Sequence, residues 1–466
     1  MEKLRLSYYT IPVKLEIEDD KYLLTHGYTG AIDILDKDIW KEIEDFSKTS
    51  SLPEQTIAYL QKRGYLTTHT QEEEIEYVKK LAQLLHKTQS KLYKTFGFII
   101  SYDCNFRCSY CFENGISNHG NQWSKWTFTK EMVDKAYKTM MKIEPRKELH
   151  YKNILLYGGE PFLRQNKEVI EYIVLKGHQL GYTFKVISNG YDIDYFENIL
   201  SPEYFSFFQI TLDGDKENHN SRRFHYEEGA SFDKIVNNIG ILLRKNIDVS
   251  VRVNTDSNNF QDFKSLNELF KKLGFTSNPH FKTYSSILRK YNENDNCDVD
   301  INYLSMDTFN KQHQKTYNGE IYYQDFGIYR HYLSYLENGS RCRLYSASCS
   351  AQYGSYLLDP VGDIFTCLET VGKPDQVIGH YTNEEPEWTE VRKHWFERNT
   401  GNALNCQSCK YALLCGGGCL ARSVHTKDGF KASACFKFKS VYPLSVNRAY
   451  STYKQSLLLT TNSKIK

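Results

Sequence analysis

The sequence predicts an α/β protein whose central part is an incomplete parallel barrel of six strand–helix units. Short apolar stretches alternate with amphipathic stretches of helical period between residues 95 and 285. Such alternation is typical of parallel strands joined by right-handed crossovers. Six units instead of eight leave the barrel open, and in barrels the chemistry lies at the carboxyl ends of the strands.

The predicted elements of the barrel follow one another in chain order. Strands are expected at the β-branched and aromatic stretches 96–101, 154–157, 184–188, 207–212, 249–254 and 281–285. Helices are expected at 130–143, 167–179, 192–200, 232–244 and 260–272. Distinctive residues follow four of the strands, at 104–111, 158–160, 189–190 and 213–214. We therefore expect an active site at this end of the barrel.

Three further segments flank the barrel, which we assign to residues 91–290. Residues 1–90 predict a small separate domain, with strands at 8–17, 22–35 and 65–68 and helices at 39–46, 51–63 and 71–92. Residues 291–340 are polar, rich in Asn and Tyr, and form a linker or insertion without a predicted architecture. Residues 341–455 form a cysteine-rich final domain.

The composition argues against several classes of protein. A formal net charge of +2 gives no overall field that would attract nucleic acid or an anionic membrane. No apolar run has the length of a bilayer span, and no signal-peptide core follows Met1. We expect a cytoplasmic protein that binds neither partner. Twelve cysteines in that reducing compartment indicate metal binding instead of disulfides.

The first cysteine pattern is C-x3-C-x2-C, formed by Cys104, Cys108 and Cys111. Thiolates are the usual ligands of iron–sulfur clusters, and three of them leave the fourth iron of a [4Fe–4S] cluster open. A zinc site or a set of buried thiols is the alternative interpretation. The position directly after the first barrel strand favours the cluster.

This triplet resembles the signature of the radical S-adenosylmethionine (SAM) superfamily, as do three later strand ends. The resemblance implies that the open iron chelates SAM and that reduction releases a 5′-deoxyadenosyl radical. Glu160 would then accept from the SAM ammonium, and the glycines before Glu160 would let the backbone approach SAM closely. The SAM contacts that the family's motifs imply are Tyr110, Gly158, Gly159, Glu160, Ser188, Asn189, Thr211 and Arg223.

Two of these implied contacts leave alternatives open. Thr211 and Arg223 would hold the SAM carboxylate, which suits the bidentate geometry of arginine, but Arg222 is adjacent and equally plausible from the sequence. Asn189 would contact the ribose or the carboxylate. Asp213 and His219 belong to the same motif and are either functional or structural.

Eight cysteines between 342 and 435 form a second pattern that resembles the SPASM domain, which binds two auxiliary [4Fe–4S] clusters. The resemblance implies two ligand sets and three clusters in the whole protein. The first set is Cys342, Cys349, Cys367 and Cys419, and the second is Cys406, Cys409, Cys415 and Cys435. Because both clusters would be fully ligated, they would transfer electrons instead of binding substrate. A zinc ribbon is the alternative, but it needs only four of the eight cysteines.

The substrate prediction depends on residues 1–90. They resemble the winged-helix-like element that binds leader peptides in ribosomal natural-product pathways by adding a strand to a sheet edge. A structural cap on the barrel is the alternative. The resemblance as a whole implies a peptide maturase that oxidatively crosslinks a precursor peptide, for example through a thioether. It also implies a reducing partner such as flavodoxin or ferredoxin.

Three other functions remain open from the sequence. Sulfatase-maturing enzymes share the resemblance but carry Asp after the cysteine that Cys367 matches, where this chain has Leu368 followed by Glu369. Cys297 is an ordinary loop thiol or, in a peptide epimerase, a hydrogen-atom donor. A non-catalytic iron–sulfur carrier is the third, and the SAM-contact set argues against it.

Overall fold

The computed structural model describes residues 4–46, 51–113, 126–288, 304–317, 325–340, 342–424, 426–433, 435 and 438–463. Cys297 lies outside these described residues. The chain forms two compact units. The first contains residues 1–91, 325–352 and 397–466, and the second contains residues 92–324 and 353–396. The cysteine-rich segment 341–455 therefore contributes to both units.

The strands are short in the first unit and longer in the second. In chain order they are β1 Arg5–Leu6, β2 Thr10–Lys14, β3 Lys21–His26, β4 Ile32–Asp36, β5 Leu66–Thr67, β6 Thr95–Ile99, β7 Asn153–Tyr157, β8 Thr183–Ser188, β9 Phe205–Leu212, β10 Val249–Thr255, β11 Phe281–Ile287, β12 Ser355–Leu358, β13 Asp363–Phe365, β14 Gly379–His380 and β15 Glu387–Trp388.

The α-helices range from single turns to a long C-terminal helix. In chain order they are α1 Lys37–Glu44, α2 Glu54–Arg63, α3 Gln71–Gln89, α4 Lys130–Ile143, α5 Lys167–Gln179, α6 Lys216–Arg222, α7 Phe232–Arg244, α8 Asp262–Lys272, α9 Met306–Tyr317, α10 Ile328–Asn338, α11 Glu390–Glu397, α12 Ala412–Cys415, α13 Leu420–Ser423 and α14 Phe438–Ser463.

The second unit is built on a ten-stranded sheet whose central strands are parallel. Strands β6 to β11 are neighbours in chain order, and each pairs with the next in parallel. Helices α4, α5 and α7 have the predicted bounds. The predicted α/β fold with a partial parallel barrel is confirmed. Because the strands are parallel, the loops that follow them meet at one end of the sheet.

The sheet also continues on the far side of β6, which the sequence analysis did not predict. Strand β12 pairs in parallel with β6, so that Tyr356 lies opposite Phe96. Strands β13, β14 and β15 then extend the sheet in antiparallel fashion. Part of the cysteine-rich segment is thus a continuation of the barrel sheet.

The helix predicted at 192–200 is wrong, because the structure has only the 3-10 helix Ile193–Phe196 there. Asn238 donates from Nδ2 to the carbonyl oxygens of Gly190 and Tyr191, at 2.9 and 2.8 Å, and so fixes the turn before this segment. Pro202 disfavours helical geometry at the residue before it.

The first unit contains a three-stranded antiparallel sheet in the order β2-β3-β4 and a separate pair of β1 with β5. The single strand predicted at 22–35 is therefore two strands, which are joined by a turn with Gly30 at a φ of 71°. Buried side chains from this sheet and from α1 and α2, such as Leu24, Trp40 and Leu60, form a common core. Helix α3 begins with a reciprocal capping box between Thr70 and Glu73.

No helix among the described residues is both long enough and apolar enough to cross a lipid bilayer.

Candidate active site

The cysteine loop that follows β6 is hydrogen-bonded to the turn that follows β7. The Gly159 amide donates to the Ser101 carbonyl at 3.0 Å, and the Glu160 amide donates to the Asp103 carbonyl at 2.8 Å. A Cβ at Gly158 would lie 2.4 Å from the Ser101 oxygen, and one at Gly159 would lie 2.3 Å from the Asp103 oxygen. Both positions require glycine because the cysteine loop packs against their backbone, a reason different from the close approach to SAM inferred from the sequence.

The three cysteines of the triplet come together in this loop. Cys108 is buried, and Cys104 and Cys111 are half-buried. Burial raises the pKa of all three thiols. Negative charge on Cys108 raises the pKa of Cys104 further, and negative charge on Glu113 and Cys108 raises that of Cys111. A metal that thiols coordinate has the opposite effect and deprotonates them outright. The arrangement therefore suits metal binding better than it suits free thiolates.

Glu160 has a buried carboxylate that accepts three hydrogen bonds. Oε1 accepts from the Phe162 amide at 2.8 Å and from Ser188 Oγ at 2.7 Å, and Oε2 accepts from the Asn189 amide at 2.6 Å. Burial nevertheless raises the pKa of Glu160 to about 7, although these hydrogen bonds act in the opposite direction. A cation beside the carboxylate would offset this cost of burial.

Asn189 connects the third strand end to the cysteine loop. Its Nδ2 donates to Asn105 Oδ1 at 2.7 Å, and its Oδ1 accepts from the Tyr191 amide at 2.9 Å. Asn105 directly follows Cys104 in the chain. Ser188 therefore orients the Glu160 carboxylate, and Asn189 holds the cysteine loop at Asn105.

Arg223 and Tyr110 form the opposite side of the site. The Arg223 Nη1 and the Asn254 Nδ2 each donate to the Tyr110 hydroxyl oxygen at 3.0 Å. Arg223 Nε, Arg252 Nε and Asn254 Oδ1 are buried and have no hydrogen-bond partner among the described residues. Such groups are costly to bury unless a ligand satisfies them.

Arg222, the alternative to Arg223, has a different environment. Its Nη2 donates to both carboxylate oxygens of Asp256 at 3.0 Å, and the two side chains are buried. This ion pair balances the charge of Arg222 within the protein, although its Nη1 is buried without a hydrogen-bond partner among the described residues. Arg223, in contrast, lines the cavity described below.

His219 has structural contacts on both ring nitrogens. Nδ1 accepts from the Asp213 amide at 3.3 Å, and Nε2 lies 2.9 Å from Ser231 Oγ. Ser231 in turn donates to the Arg223 carbonyl at 2.6 Å. Burial lowers the pKa of His219 well below its ordinary value, so the ring is neutral. His219 thus fixes the backbone on both sides of α6.

Asp213 is fully buried beside Arg223 and Tyr110. Burial raises the pKa of Asp213, whereas the Arg223 charge and the Tyr110 hydroxyl lower it. Asp213 does not line the cavity of the second unit. Its carboxylate interacts with Arg223 and Tyr110, and both of its oxygens are buried without a hydrogen-bond partner among the described residues.

These strand ends enclose a cavity of about 240 Å³ in the second unit. Its wall includes all three cysteines of the triplet and each of the SAM contacts implied by the sequence. The implied contacts on the wall are Tyr110, Gly158, Gly159, Glu160, Ser188, Asn189, Thr211 and Arg223. The buried cations, the buried carboxylate and the three thiols suit a ligand that carries an ammonium group, a carboxylate and an iron-bound end.

Sequence reasoning missed several polar residues of the same wall. Glu113, two residues after Cys111, is buried, and burial raises its pKa to about 8. Arg252 and Asn254 lie two residues apart on β10, so they face the same side of the sheet. Glu369, which follows Leu368 two residues after Cys367, also lines the cavity.

A second group of thiols lies in the first unit. Cys406 and Cys415 each interact electrostatically with Cys409 and Cys435, and burial raises the pKa of Cys415 to about 12. The structure thus brings together the four cysteines of the second implied set. Gly416, Gly417 and Gly418 have φ values of 71°, 77° and 74°, which only glycine adopts readily in succession.

The first implied set consists of Cys342, Cys349, Cys367 and Cys419. Cys342 lies beside the buried Tyr332 and Tyr442, and burial raises its pKa to about 12. Cys349 and Cys419 belong to the first unit and Cys367 to the second.

No three His, Cys, Asp or Glu side chains among the described residues are arranged as the ligands of a single metal ion. The ligands of a four-iron cluster surround several metal atoms, so they lie farther apart than the ligands of one ion.

Comparison with known proteins identifies the class to which the site belongs. Residues 98–273 match the model of the Radical SAM superfamily. This segment is a radical SAM domain, which confirms the superfamily predicted from the sequence. Such a domain implies SAM and one [4Fe–4S] cluster as cofactors, and the thiols and unsatisfied polar groups of the cavity fit them.

The chain is also similar, at low identity, to characterised enzymes along most of its length. The cysteine-type anaerobic sulfatase-maturating enzyme of Clostridium novyi (strain NT) is 23% identical over 374 residues, which are 75% of this chain and 94% of that protein. The radical SAM cyclopropyl synthase TigE of Paramaledivibacter caminithermalis is 22% identical over 503 aligned residues, with 98% of each chain covered.

A solved structure shares the fold. The structure of native anSMEcpe with bound AdoMet and Cp18Cys peptide has a TM-score of 0.54 at 17% identity, and the match covers 80% of this chain and 99% of that chain. The chain thus contains a radical SAM domain at residues 98–273 and is related to these proteins at low identity.

Proposed function

We propose that this protein is a radical SAM peptide maturase that oxidatively crosslinks a ribosomally made precursor peptide, with a thioether as the expected bond. The observation that carries the proposal is the shared cavity wall of the cysteine triplet and the eight implied SAM contacts. Similarity to a sulfatase-maturating enzyme and to a cyclopropyl synthase supports it. The fold neighbour solved with a bound peptide is consistent with a peptide substrate.

When bound, SAM and a [4Fe–4S] cluster on Cys104, Cys108 and Cys111 would supply a 5′-deoxyadenosyl radical after reduction by a partner such as flavodoxin or ferredoxin. The Glu160 carboxylate, oriented by its three donors, would accept from the SAM ammonium. Arg223 would donate to the SAM carboxylate from its unsatisfied Nε. Tyr110 and Asn254 would keep that guanidinium in position.

The eight C-terminal cysteines would hold two auxiliary clusters, whose contribution is to accept electrons. The electrostatic grouping of Cys406, Cys409, Cys415 and Cys435 supports one of the two sites. Cys342, Cys349, Cys367 and Cys419 would hold the other. With all ligand positions occupied by thiolates, the substrate would not need to coordinate iron there.

Residues 1–90 would bind the leader of the precursor peptide by strand addition. In the three-stranded sheet of this segment, strands β2 and β4 are the edges. The β2 edge is poorly suited to strand addition, because Pro12 lacks an amide proton. In addition, Asn447 donates to the Lys14 carbonyl at 3.1 Å and accepts from the Glu16 amide at 2.9 Å. On β4, the Ile32 carbonyl already accepts from Arg63 Nη2 at 2.9 Å and from the Tyr335 hydroxyl at 2.5 Å, whereas Ile34 is exposed. We therefore assign the leader to the part of the β4 edge at Ile34.

A second candidate function is the maturation of a folded protein, as in the sulfatase-maturing relatives. The position of Glu369 in the cavity wall favours it, because a carboxylate there would be able to take a proton from the substrate. The two functions differ in substrate. A peptide maturase requires the precursor with its leader, whereas a protein-maturing enzyme acts on a short motif without one.

Mass spectrometry of the product tests the proposal. Anaerobic turnover of a precursor peptide should give a product two mass units lighter, because one new bond replaces two hydrogens. The same reaction in heavy water identifies the epimerase alternative, in which the product keeps its mass in ordinary water and gains one deuterium in heavy water. An unshifted product that carries deuterium would refute the crosslinking reaction.

A further inference from the structure

Arg398 is a buried arginine in the first unit, and no carboxylate among the described residues forms an ion pair with it. The residue is 3% exposed. Its Nη2 donates to the carbonyl oxygens of Gly417 and Ala432, at 2.9 and 3.1 Å. Its Nε and Nη1 are buried without a hydrogen-bond partner among the described residues. Burying a charge with unsatisfied donors is unfavourable unless an anion compensates for it.

The groups that act on the Arg398 charge are thiols. Cys406, Cys415 and Cys419 interact with it electrostatically, and no carboxylate is among these groups. Two of these cysteines belong to the second ligand set and Cys419 belongs to the first. Arg398 thus lies close to thiols of both sets.

The backbone keeps the guanidinium in this position. Gly417 has a φ of 77°, and a Cβ on it would lie 3.0 Å from Arg398 Nη1 and 3.2 Å from Thr400 Cγ2. Any larger residue at 417 would press on the guanidinium. The glycine run between Cys415 and Cys419 therefore also makes room for Arg398.

We propose that Arg398 is a positioning residue shared by the two auxiliary clusters, whose Nε and Nη1 donate to cluster sulfurs and whose charge stabilises the reduced state. This inference rests on the proposed function, because it requires the auxiliary clusters. The potentials of iron–sulfur clusters depend on net charge and on hydrogen bonds to sulfur. Reduction adds one electron to a cluster, so a nearby cation raises the reduction potential.

The test uses full-length protein in which Cys104, Cys108 and Cys111 are replaced by Ala, so that only auxiliary clusters remain. Arg398→Gln and Arg398→Lys are compared in this background by iron content and by redox titration followed by electron paramagnetic resonance. Arg398→Gln should lower the reduction equilibrium constant of at least one cluster by about tenfold, which is about 59 mV for one electron. Arg398→Lys keeps the charge and should lie nearer to the parent protein.

Arg448 provides the matched control. It is also a buried arginine of the first unit, but it stacks over the Tyr329 ring at 4.4 Å. Arg448→Gln should leave the potentials unchanged. Equal potentials in the parent protein and in Arg398→Gln, at equal iron content, would overturn the inference. If the parent protein, which lacks only the cysteine triplet, holds no iron, the auxiliary clusters themselves are refuted. Failure of the Arg398 inference and failure of the proposed auxiliary clusters are therefore distinguishable.

If the Arg398→Gln protein loses iron, a second measurement is needed, which is the thermal stability of the metal-free protein. In metal-free protein, the substitution removes an unbalanced buried charge but also the two hydrogen bonds of Nη2, and because these effects oppose each other the thermal stability should stay close to that of the parent. Loss of iron with unchanged metal-free stability would support the inference. A comparable loss of stability in metal-free protein would show that Arg398 only supports the fold and would overturn it.

Discussion

Arg222 and Arg223 are adjacent in the chain, but their guanidinium groups have opposite surroundings. Arg222 is paired with both oxygens of Asp256 at 3.0 Å, whereas Arg223 lines the cavity and reaches Tyr110. Helix α6 ends at Arg222, which separates the directions of the two side chains. One arginine stabilises the fold and the other is available to a ligand.

Substitution of these two arginines should therefore have different effects. Arg223→Gln should weaken SAM binding by about ten- to a hundredfold, because a charge-assisted hydrogen bond contributes about 1.5–3 kcal/mol. Arg222→Gln should destabilise the protein by about 3–5 kcal/mol, because Asp256 remains buried without its partner. Equilibrium binding and denaturant unfolding measure the two effects. The reverse pattern would assign the SAM carboxylate to Arg222.

The affinity for SAM should depend on pH through Glu160. Burial raises the pKa of Glu160 to about 7, so the carboxylate that would accept from the ammonium forms only as the pH rises through 7. Affinity should therefore increase between pH 6 and about 7.5. Above about pH 8 it should fall, as an α-amino group loses its proton. Binding of SAM to cluster-loaded protein across this range measures the profile.

Glu160→Gln should remove the rise on the acidic side and weaken binding at pH 7.5. Glu113→Gln is the matched control, because Glu113 lines the same cavity with a pKa of about 8 but is not an implied SAM contact. The control variant should keep the rise near pH 7. If Glu113→Gln removes the rise and Glu160→Gln does not, the assignment of Glu160 is wrong.

The stability of the metal-free protein should have the opposite pH dependence at this residue. A carboxyl group whose pKa is raised on folding favours the folded state when it is protonated. The contribution of Glu160 is fully present below its ordinary pKa of 4.5 and is lost as the pH rises through about 7. Glu160→Gln should thus reduce the decline in unfolding free energy over that range, measured by denaturant titration at several pH values.

The β4 edge should bind the leader peptide. The His26 amide donates to the Ala31 carbonyl, so the backbone N–H and C=O groups of odd-numbered residues on β4 point toward β3. The backbone groups of Ile34 therefore point away from β3. Ile34→Pro removes an outward amide proton without breaking a bond to β3. It should raise the Kd for the leader by about two- to tenfold, which corresponds to one backbone hydrogen bond. Fluorescence anisotropy with a labelled leader gives the measurement.

Lys14→Pro makes the matched change on the other edge of the same sheet and should leave the Kd unchanged. Cleavage of SAM without peptide should survive in both variants, since neither residue lies in the second unit. Equal Kd values for Ile34→Pro and unmodified protein would exclude strand addition at β4. Leader binding by a variant that lacks residues 1–90 would reduce this segment to a structural cap.

The cluster on the cysteine triplet should be removable without loss of the clusters on the other cysteines. Anaerobically reconstituted protein should hold about three four-iron clusters, and replacing Cys104, Cys108 and Cys111 by Ala should remove one of them together with all SAM cleavage. Iron analysis and detection of 5′-deoxyadenosine provide the two measurements. Stoichiometric zinc in place of iron, or persistent 5′-deoxyadenosine, would contradict the assignment.

The sequence predicted the parts of the fold and site that depend on local patterns. Strand–helix alternation located β6 to β11, the turn directly after β7 located Glu160, and the motif resemblance located Arg223. Arg252 and Asn254 were missed because they lie within a strand and not in the loop that follows one. Their two-residue spacing was a signal that they share a face, but it does not tell which face lines a cavity. The environments of Arg222 and Arg223 depend on packing around α6, which motif spacing does not encode.

The pairing of β12 with β6 was unpredictable for another reason. The two strands are short, and more than 250 residues separate Phe96 from Tyr356, which lie opposite each other. Local sequence gives no information about such a partner. The helix predicted at 192–200 was wrong for a different reason. The local sequence has a helical pattern, but tertiary hydrogen bonds from Asn238 fix the backbone that leads into it.

This same pairing has a consequence for how the chain is synthesised and dissected. Until residues 355–358 have been made, β6 is the open edge of a parallel sheet, and its outward backbone N–H and C=O groups are available to other chains. A fragment that ends after β11 would keep that edge and should be prone to aggregation. Long-range closure of this kind also slows folding. The segment that returns to β6 therefore protects the strand that leads into the cysteine loop.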